Sequence, residues 1–280
     1  MFYLLKSFIQ MKILLNNNDL NEALYGVSNL GFVPTMGSLH KGHISLIQKS
    51  LKECDKTLIS IFVNPKQFNN KKDFINYPRN IKDDLSILKK MKVDFLYLPK
   101  KKDIYDLRNI TRIYISTKER ILCAKYRKGH FEGVIDVMHR LTNKIKPWKI
   151  FMGEKDFQQL HMVKKFIEKK HKSKVVPCKT VRNKDKVALS SRNLLLKKSD
   201  LAIAGKIAKK LISLKNQLKK EKNKKQFLFL KKKEIEKFYN IKIQYLELRN
   251  KFNLKTTNKT RNAKIFVAYY LKNIRLIDNF

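Results

Sequence analysis

His40 and His43 are the residues best placed to do chemistry. They close the run Pro34-Thr35-Met36-Gly37-Ser38-Leu39-His40-Lys41-Gly42-His43, which follows an apolar stretch and leads into a helical pattern. A strand ends there, a glycine-bearing turn follows, and a helix is expected to begin at or near His43. The unpaired N–H groups and the dipole of a helix start favour phosphate. Two imidazoles separated by Gly42 could both face that phosphate, and imidazole suits charge growing on a phosphoryl oxygen near neutral pH. Gly42 would let a nucleotide lie against bare backbone. No Asp, Glu or Cys close by completes a ligand set, so no metal-binding residues are expected.

Four further segments have the same character. Phe62-Val63-Asn64-Pro65-Lys66-Gln67-Phe68 ends the next β-rich run, and Gln67 offers both a donor and an acceptor, suited to a hydroxy acid or an amide. Alone it reads rather as a turn with an exposed glutamine. Tyr77-Pro78-Arg79 is weaker. Gly129-His130-Phe131-Glu132-Gly133-Val134 leads into a helix. Gly153-Glu154-Lys155-Asp156-Phe157-Gln158-Gln159 is again a strand end running into a helix start. There Lys155 is a compact cation at an anion-favouring position, Asp156 could cap the helix or hold a ribose or Mg²⁺, and Gln159 lies one turn on. Ala188-Leu189-Ser190-Ser191-Arg192-Asn193 sets two hydroxyls beside a guanidinium, a compact phosphate clamp or an ordinary capping loop.

The elements that must position these residues follow from periodicity. Strands are expected at 31–35, 57–63, 94–99, 111–116, 149–152 and 174–181, with helices at 43–53, about 80–91, 131–145 and 156–170. Such alternation argues a parallel α/β sheet with right-handed crossovers. After about residue 193 the pattern changes. Residues 199–238 read as two helices broken near 219–226, and three β-rich runs follow at 241–249, 263–271 and 274–278. The fold class expected is therefore α/β, a Rossmann-like parallel-sheet nucleotide-binding domain followed by a smaller α+β C-terminal domain. The junction lies near 184–198, giving domains of 1–186 and 187–280.

Composition narrows the class. The chain has 280 residues, 43% hydrophobic and 10% aromatic, enough for a packed core and against wholesale disorder. Cys54, Cys123 and Cys178 are widely spaced and form no CxxC pair, which points to a reducing compartment. No apolar run approaches 18 residues, so a cytosolic protein without a membrane span or signal peptide is expected. The formal charge of +41 invites a nucleic-acid reading. Yet 53 of the 64 basic residues are lysine, spread along the whole chain. Bidentate recognition of phosphate and bases favours arginine. An AT-rich codon bias explains a lysine and asparagine excess on solvated faces, so no specific nucleic acid is expected.

In order and spacing, PTMGSLHKGH, SIFVNPKQF, YPR, GHFEGV, GEKDFQQL, ALSSRN and the closing RLIDN resemble the pantoate–β-alanine ligase (pantothenate synthetase) family of HxGH nucleotidyltransferases, over residues 25 to 279. The resemblance implies a cytosolic homodimer in pantothenate and coenzyme A biosynthesis. It implies ATP as a substrate with Mg²⁺, and a reaction in two steps. The carboxylate of (R)-pantoate attacks the α-phosphorus of ATP to give pantoyl adenylate and pyrophosphate, and the amine of β-alanine then displaces AMP.

By the same resemblance Met36, Gly37, Ser38, Leu39, His40, Lys41, Gly42 and His43 line ATP. His43 is the family's proton donor and His40 sits beside it on the phosphates. A protonated His43 acting as an electrostatic stabiliser fits equally well. Gln67 holds pantoate and later β-alanine. Gly153, Glu154, Lys155 and Asp156 bind ATP, with Lys155 catalytic on its phosphates. Gln159 touches pantoate, Val181 meets the nucleotide through its backbone, and Leu189, Ser190, Ser191 and Arg192 clamp the phosphates. The chain departs from the family at Lys186, where glycine is usual, and at Lys128, where proline is common. About ten N-terminal residues read as an extension, with Met11 an alternative start. Another HxGH adenylyltransferase would leave Gln67 and Gln159 unexplained. An RNA-binding protein would lack arginine-rich tracts and a stacking motif.

Overall fold

The computed structural model describes residues 10–105 and 113–280. In chain order the elements are β1 (Lys12–Leu14), α1 (Asn17–Ala23), β2 (Leu30–Thr35), α2 (Lys41–Glu53), β3 (Lys56–Ile61), α3 (Lys71–Ile75), α4 (Ile81–Lys90), β4 (Phe95–Tyr97), α5 (Lys101–Ile104), α6 (Leu122–Tyr126) and α7 (His130–Ile145). Then come β5 (Lys149–Gly153), α8 (Phe157–Lys170), β6 (Lys174–Cys178), α9 (Lys198–Gln217), α10 (Lys224–Tyr239), β7 (Lys242–Asn250), β8 (Ala263–Leu271) and β9 (Ile274–Asn279).

The first six strands form one parallel sheet in the order β1-β4-β3-β2-β5-β6. Adjacent residues on each strand serve opposite faces. Phe32, Leu58, Tyr97 and Ile150 pack with Val134, Leu141 and Val163 of α7 and α8. Val33, Ile59, Leu96 and Phe151 pack with Ile47 of α2 and Leu88 of α4. A parallel sheet covered on both faces needs such near-continuous apolar strands. The order also has a consequence for ligands. From β2 the chain winds outward through β3 and β4, whereas β5 returns to the other side of β2. The switch therefore falls between β2 and β5, where an open α/β sheet leaves a crevice beyond its carboxyl ends.

The small C-terminal sheet is antiparallel, β7-β8-β9. Ala204, Ile207, Leu211 and Leu214 recur at helical spacing on α9 and pack with Ile265, Val267 and Leu276 of this sheet. Two contacts tie it to the larger sheet. The Arg182 guanidinium clasps both oxygens of Asp278 at 2.6 and 2.8 Å. The Asn279 amide donates to the Glu154 and Lys155 carbonyls at 2.8 and 3.0 Å. The closing RLIDN motif thus holds the backbone that carries Lys155.

Several expectations are corrected. Helix α2 starts two residues before His43, with His40 as its N-cap. The strand expected over 174–181 ends at Cys178. Of the strand expected over 111–116, residues 111 and 112 lie outside the described residues and 113–116 form no strand. Ile113 and Ile115 pack instead with Leu122, Cys123 and Phe131, so the apolar alternation serves side-chain packing. Residues 1–9 of the expected extension also lie outside the described residues. Among the described residues no helix is long and apolar enough to cross a membrane.

Candidate active site

The ends of β2 and β5, neighbours across the switch, open onto one cavity. Met36, His40, Gly42, His43, Gln67, Gly153, Lys155, Asp156, Gln159, Val181, Leu189, Ser190, Ser191 and Arg192 all line it. Gly37, Ser38, Leu39, Lys41 and Glu154 do not. The Ser38 and Leu39 amides donate to the two oxygens of Asp84 at 2.8 and 2.6 Å. Gly37 makes this turn with φ +80°, a conformation glycine adopts without strain. Lys41 is exposed, and Glu154 faces Lys264 at 3.4 Å. Asp84 is buried on α4 and fixes the loop from 45 residues away.

The histidines are oriented by backbone. His40 Nδ1 accepts the Gly42 N–H at 3.0 Å, and His43 Nδ1 accepts the His40 N–H at 3.3 Å. An accepting Nδ1 places the proton of a neutral ring on Nε2. The pair, with centroids 4.1 Å apart, thus carries two Nε2–H donors. Burial, reinforced by Lys155, pulls His40 down to about 4. Burial and the adjacent His40 pull His43 down to about 3. Both rings therefore favour the neutral form in the free site. The role of Gly42 also changes, because a Cβ on it would stand 2.7–2.8 Å from the His40 ring. Its bareness makes room for the imidazole.

Lys155 Nζ lies 3.4 Å from Asp156 Oδ1. Against burial, which would raise it, Lys155 holds the Asp156 carboxyl below its ordinary range. Asp156 precedes α8 without capping it. Gln67 ends a short 3₁₀ turn, Pro65–Gln67, that rests on α7. Its Oε1 accepts from Asn64 Nδ2 at 3.3 Å, and its Nε2 reaches Met36 Sδ at 2.8 Å. The Tyr105 hydroxyl in turn donates to Asn64 Oδ1 at 2.8 Å. The Gln67 carbonyl takes the His130 Nδ1–H at 2.7 Å, so His130 Nε2 accepts from Arg127 at 2.8 Å.

The clamp segment is already engaged. Ser191 Oγ donates to the Ser38 carbonyl at 3.1 Å, joining the clamp to the histidine loop. The Arg192 guanidinium pairs with Asp73 at 2.8 and 3.1 Å. The Val181 carbonyl accepts the Leu189 N–H at 3.0 Å. Asp84, Asn64, Tyr105, Arg127, Asp73 and Asn279 were not assigned roles from the sequence. Asn64 and Asn279 stood in quoted motifs, and the others hold residues far from them along the chain. Ser60 was also missed. It lines the cavity, and its buried Oγ has no hydrogen-bond partner among the described residues.

The pantoate-beta-alanine ligase family model matches residues 11–280. The chain is 39% identical to the pantothenate synthetase of Francisella philomiragia over 265 residues, 94% of this chain and 93% of that one. It is 37% identical to that of Francisella tularensis subsp. novicida over 270 residues, again 94% and 93%. The crystal structure of pantothenate synthetase from Thermus thermophilus superposes with TM-score 0.90 at 30% identity, covering 96% of this chain and 99% of that one. A Francisella tularensis pantoate-beta-alanine ligase complexed with beta-gamma ATP and beta-alanine gives TM-score 0.81 at 36% identity, covering 96% and 97%.

Proposed function

The chain belongs to the pantoate–β-alanine ligase family, and on that premise we propose how its own residues carry out the ATP-dependent condensation of pantoate with β-alanine. The observation that carries the assignment is the meeting of the β2 and β5 ends. They set two imidazole Nε2–H donors and the Lys155 ammonium around one cavity that also holds Gln67 and Gln159. In the first step a pantoate carboxylate oxygen bonds to the α-phosphorus of ATP, and the bond to the β-phosphate oxygen breaks. Negative charge then builds on the transferring and departing oxygens. His43, His40 and Lys155 offset it with donors fixed before the reaction, in a recess where each is worth more than in water. Carboxylate attack needs no proton removed, so neutral histidines fit the step. In the second step the β-alanine nitrogen bonds to the acyl carbon, the bond to AMP breaks, and the nitrogen loses its proton.

The remaining site roles belong to the same proposal. Met36, Gly42, Gly153, Asp156, Val181, Leu189, Ser190, Ser191 and Arg192 surround ATP. Gly37, Ser38, Leu39, Lys41 and Glu154 shape its loops. Gln67 holds pantoate and later β-alanine, and Gln159 touches pantoate. Asp73 takes only Nη2 of Arg192, so the other guanidinium nitrogens can turn to phosphate with the pair in place. Mg²⁺ fits the donor set. It would be brought by the phosphates and met by one carboxylate, Asp156. Bound there, it would neutralise charge on the departing pyrophosphate.

We place the division of the chain at 186/187, supported by an apolar cluster with members from Val187 to Phe280. A cytoplasmic homodimer completes the reading. The free thiols of Cys54, Cys123 and Cys178 support the reducing compartment, and the dimer is what the motif resemblance implies. The test of the chemistry is ATP–pyrophosphate exchange. It should require pantoate and Mg²⁺ but not β-alanine, and His43→Ala or Lys155→Ala should slow it by about two to three orders of magnitude. Exchange without pantoate, or His43→Ala retaining a third of the activity, would overturn the assignment.

A further inference from the structure

Beside the cavity of the histidines lies a second chamber of about 600 Å³, lined by Arg127, Arg192 and Arg275 among others. Arg127 lines both spaces, so it stands where they join. The three guanidiniums are not equivalent. Arg192 has its carboxylate, Asp73. Arg275 is bonded to Gln244 and to the Cys123 sulfur. Arg127 is part-buried and gives its hydrogen bonds to the neutral His130 ring and to the Gln67 carbonyl, 3.3 Å away. Among the described residues no carboxylate forms an ion pair with it. Burial, together with Arg192, pulls its pKa down to about 10, the mark of a cation short of negative charge.

Resting on the function proposed above, we propose that Arg127 is the residue that recognises the carboxylate of β-alanine. The chemistry requires such a group. The pantoate carboxylate must meet phosphorus on the histidine side and ceases to be an anion once the adenylate forms. The β-alanine carboxylate takes no part in either bond change and keeps its charge throughout. Three bonds separate it from the amine, a reach of at most about 4 Å. A carboxylate on Arg127 therefore leaves the amine beside Gln67, where pantoate is held. The chamber adjoins the histidine cavity and shares Arg127, Lys155, Asp156, Ser190 and Arg192 with it, so a second substrate there would lie next to the nucleotide. Arg127 supplies a planar fork matched to carboxylate geometry.

The test compares β-alanine with its amide, 3-aminopropanamide, in wild type, Arg127→Gln and Arg127→Lys. In wild type, kcat/KM should favour β-alanine by about two orders of magnitude, the size of one lost charge-assisted contact at a recessed site. In Arg127→Gln the KM for β-alanine should rise about 100-fold and the preference over the amide should fall to within about three-fold. Pantoate-dependent pyrophosphate exchange, which also feels the lost contact to the Gln67 carbonyl, should fall by no more than about ten-fold, far less than kcat/KM for β-alanine. Arg127→Lys should give an intermediate preference, because the charge remains without the fork. Thermal melts check folding. If Arg127→Gln does not fold, the Lys variant decides, and an unchanged preference in it overturns the proposal. So does a raised KM for pantoate or collapsed exchange with the preference intact, which would make Arg127 a support for the Gln67 turn. A raised KM for ATP alone would assign it to phosphate. A wild type with no pantoate-dependent exchange would instead refute the underlying function.

Discussion

Gly133 stands on α7 directly beneath the turn that carries Gln67. In Gly133→Ala the new methyl would press on the Lys66 carbonyl, 2.7 Å from its carbon and 3.0 Å from Gln67 N. Carbon atoms pack comfortably at about 3.5–4.0 Å, so something must move by about 1 Å. The helix is the less movable side, because Val134, Val137, Met138 and Leu141 lock it into the core. The turn moves, and with it go the Asn64 contact to the Gly133 carbonyl at 3.0 Å and the His130 contact to Gln67. Overpacking of this kind destabilises by about 1–3 kcal/mol, offset by about 1 kcal/mol of alanine's better helix propensity. The net loss of stability is therefore about 0–2 kcal/mol. A misplacement of about 1 Å at a substrate-positioning residue is worth about 100-fold in rate. The assay is pyrophosphate exchange at varied pantoate, beside a thermal melt. The variant should stay folded and lose about two orders of magnitude in kcat/KM for pantoate. A value within three-fold of wild type would refute the placement of Gln67 by this contact.

Two further expectations concern stability. Lys186 has φ +70°, so Lys186→Gly should relieve left-handed strain and raise stability by about 0.5–1 kcal/mol net of glycine's entropy, read as a higher urea midpoint. An unchanged or lower midpoint would show that the loop holds no strain. His130 is buried and its pKa is pulled down to about 3 by burial and by Arg127. The unfolded chain therefore binds the extra proton first. Stability present above pH 6.5 is lost as pH falls, by about 2 kcal/mol at pH 5 from this residue alone. Urea midpoints at pH 7 and pH 5 for wild type and His130→Gln check it. The glutamine variant should lose less on acidification, and equal losses would contradict the burial of a neutral ring.

What the sequence reveals and what it hides follow one physical division. The strand-to-helix junctions at Thr35 and Gly153 announce themselves locally, through apolar runs that stop at glycine. The C-terminal strands, read as 241–249, 263–271 and 274–278, are observed within a residue or so of those limits. Strand β1 is only three residues at the sheet edge, too short for any period, and its register comes wholly from β4. Asp84 reads as one more polar position on an amphipathic helix, and nothing local says that its two oxygens take the Ser38 and Leu39 amides. Arg127 is likewise silent in a chain with 64 basic residues, because its place where two cavities join, without a paired carboxylate, exists only in three dimensions. The neutrality of His40 and His43 is also a tertiary property, set by burial and by Lys155 from another strand.

The central claim is that the pantoate carboxylate itself attacks the α-phosphorus. It is tested most directly with pantoate carrying oxygen-18 in its carboxylate, turned over with ATP and β-alanine. The bond that forms between carboxylate oxygen and phosphorus stays with AMP when the amine displaces it. The account predicts one labelled oxygen in each AMP and none in pyrophosphate. Unlabelled AMP, or label in pyrophosphate or inorganic phosphate, would contradict it.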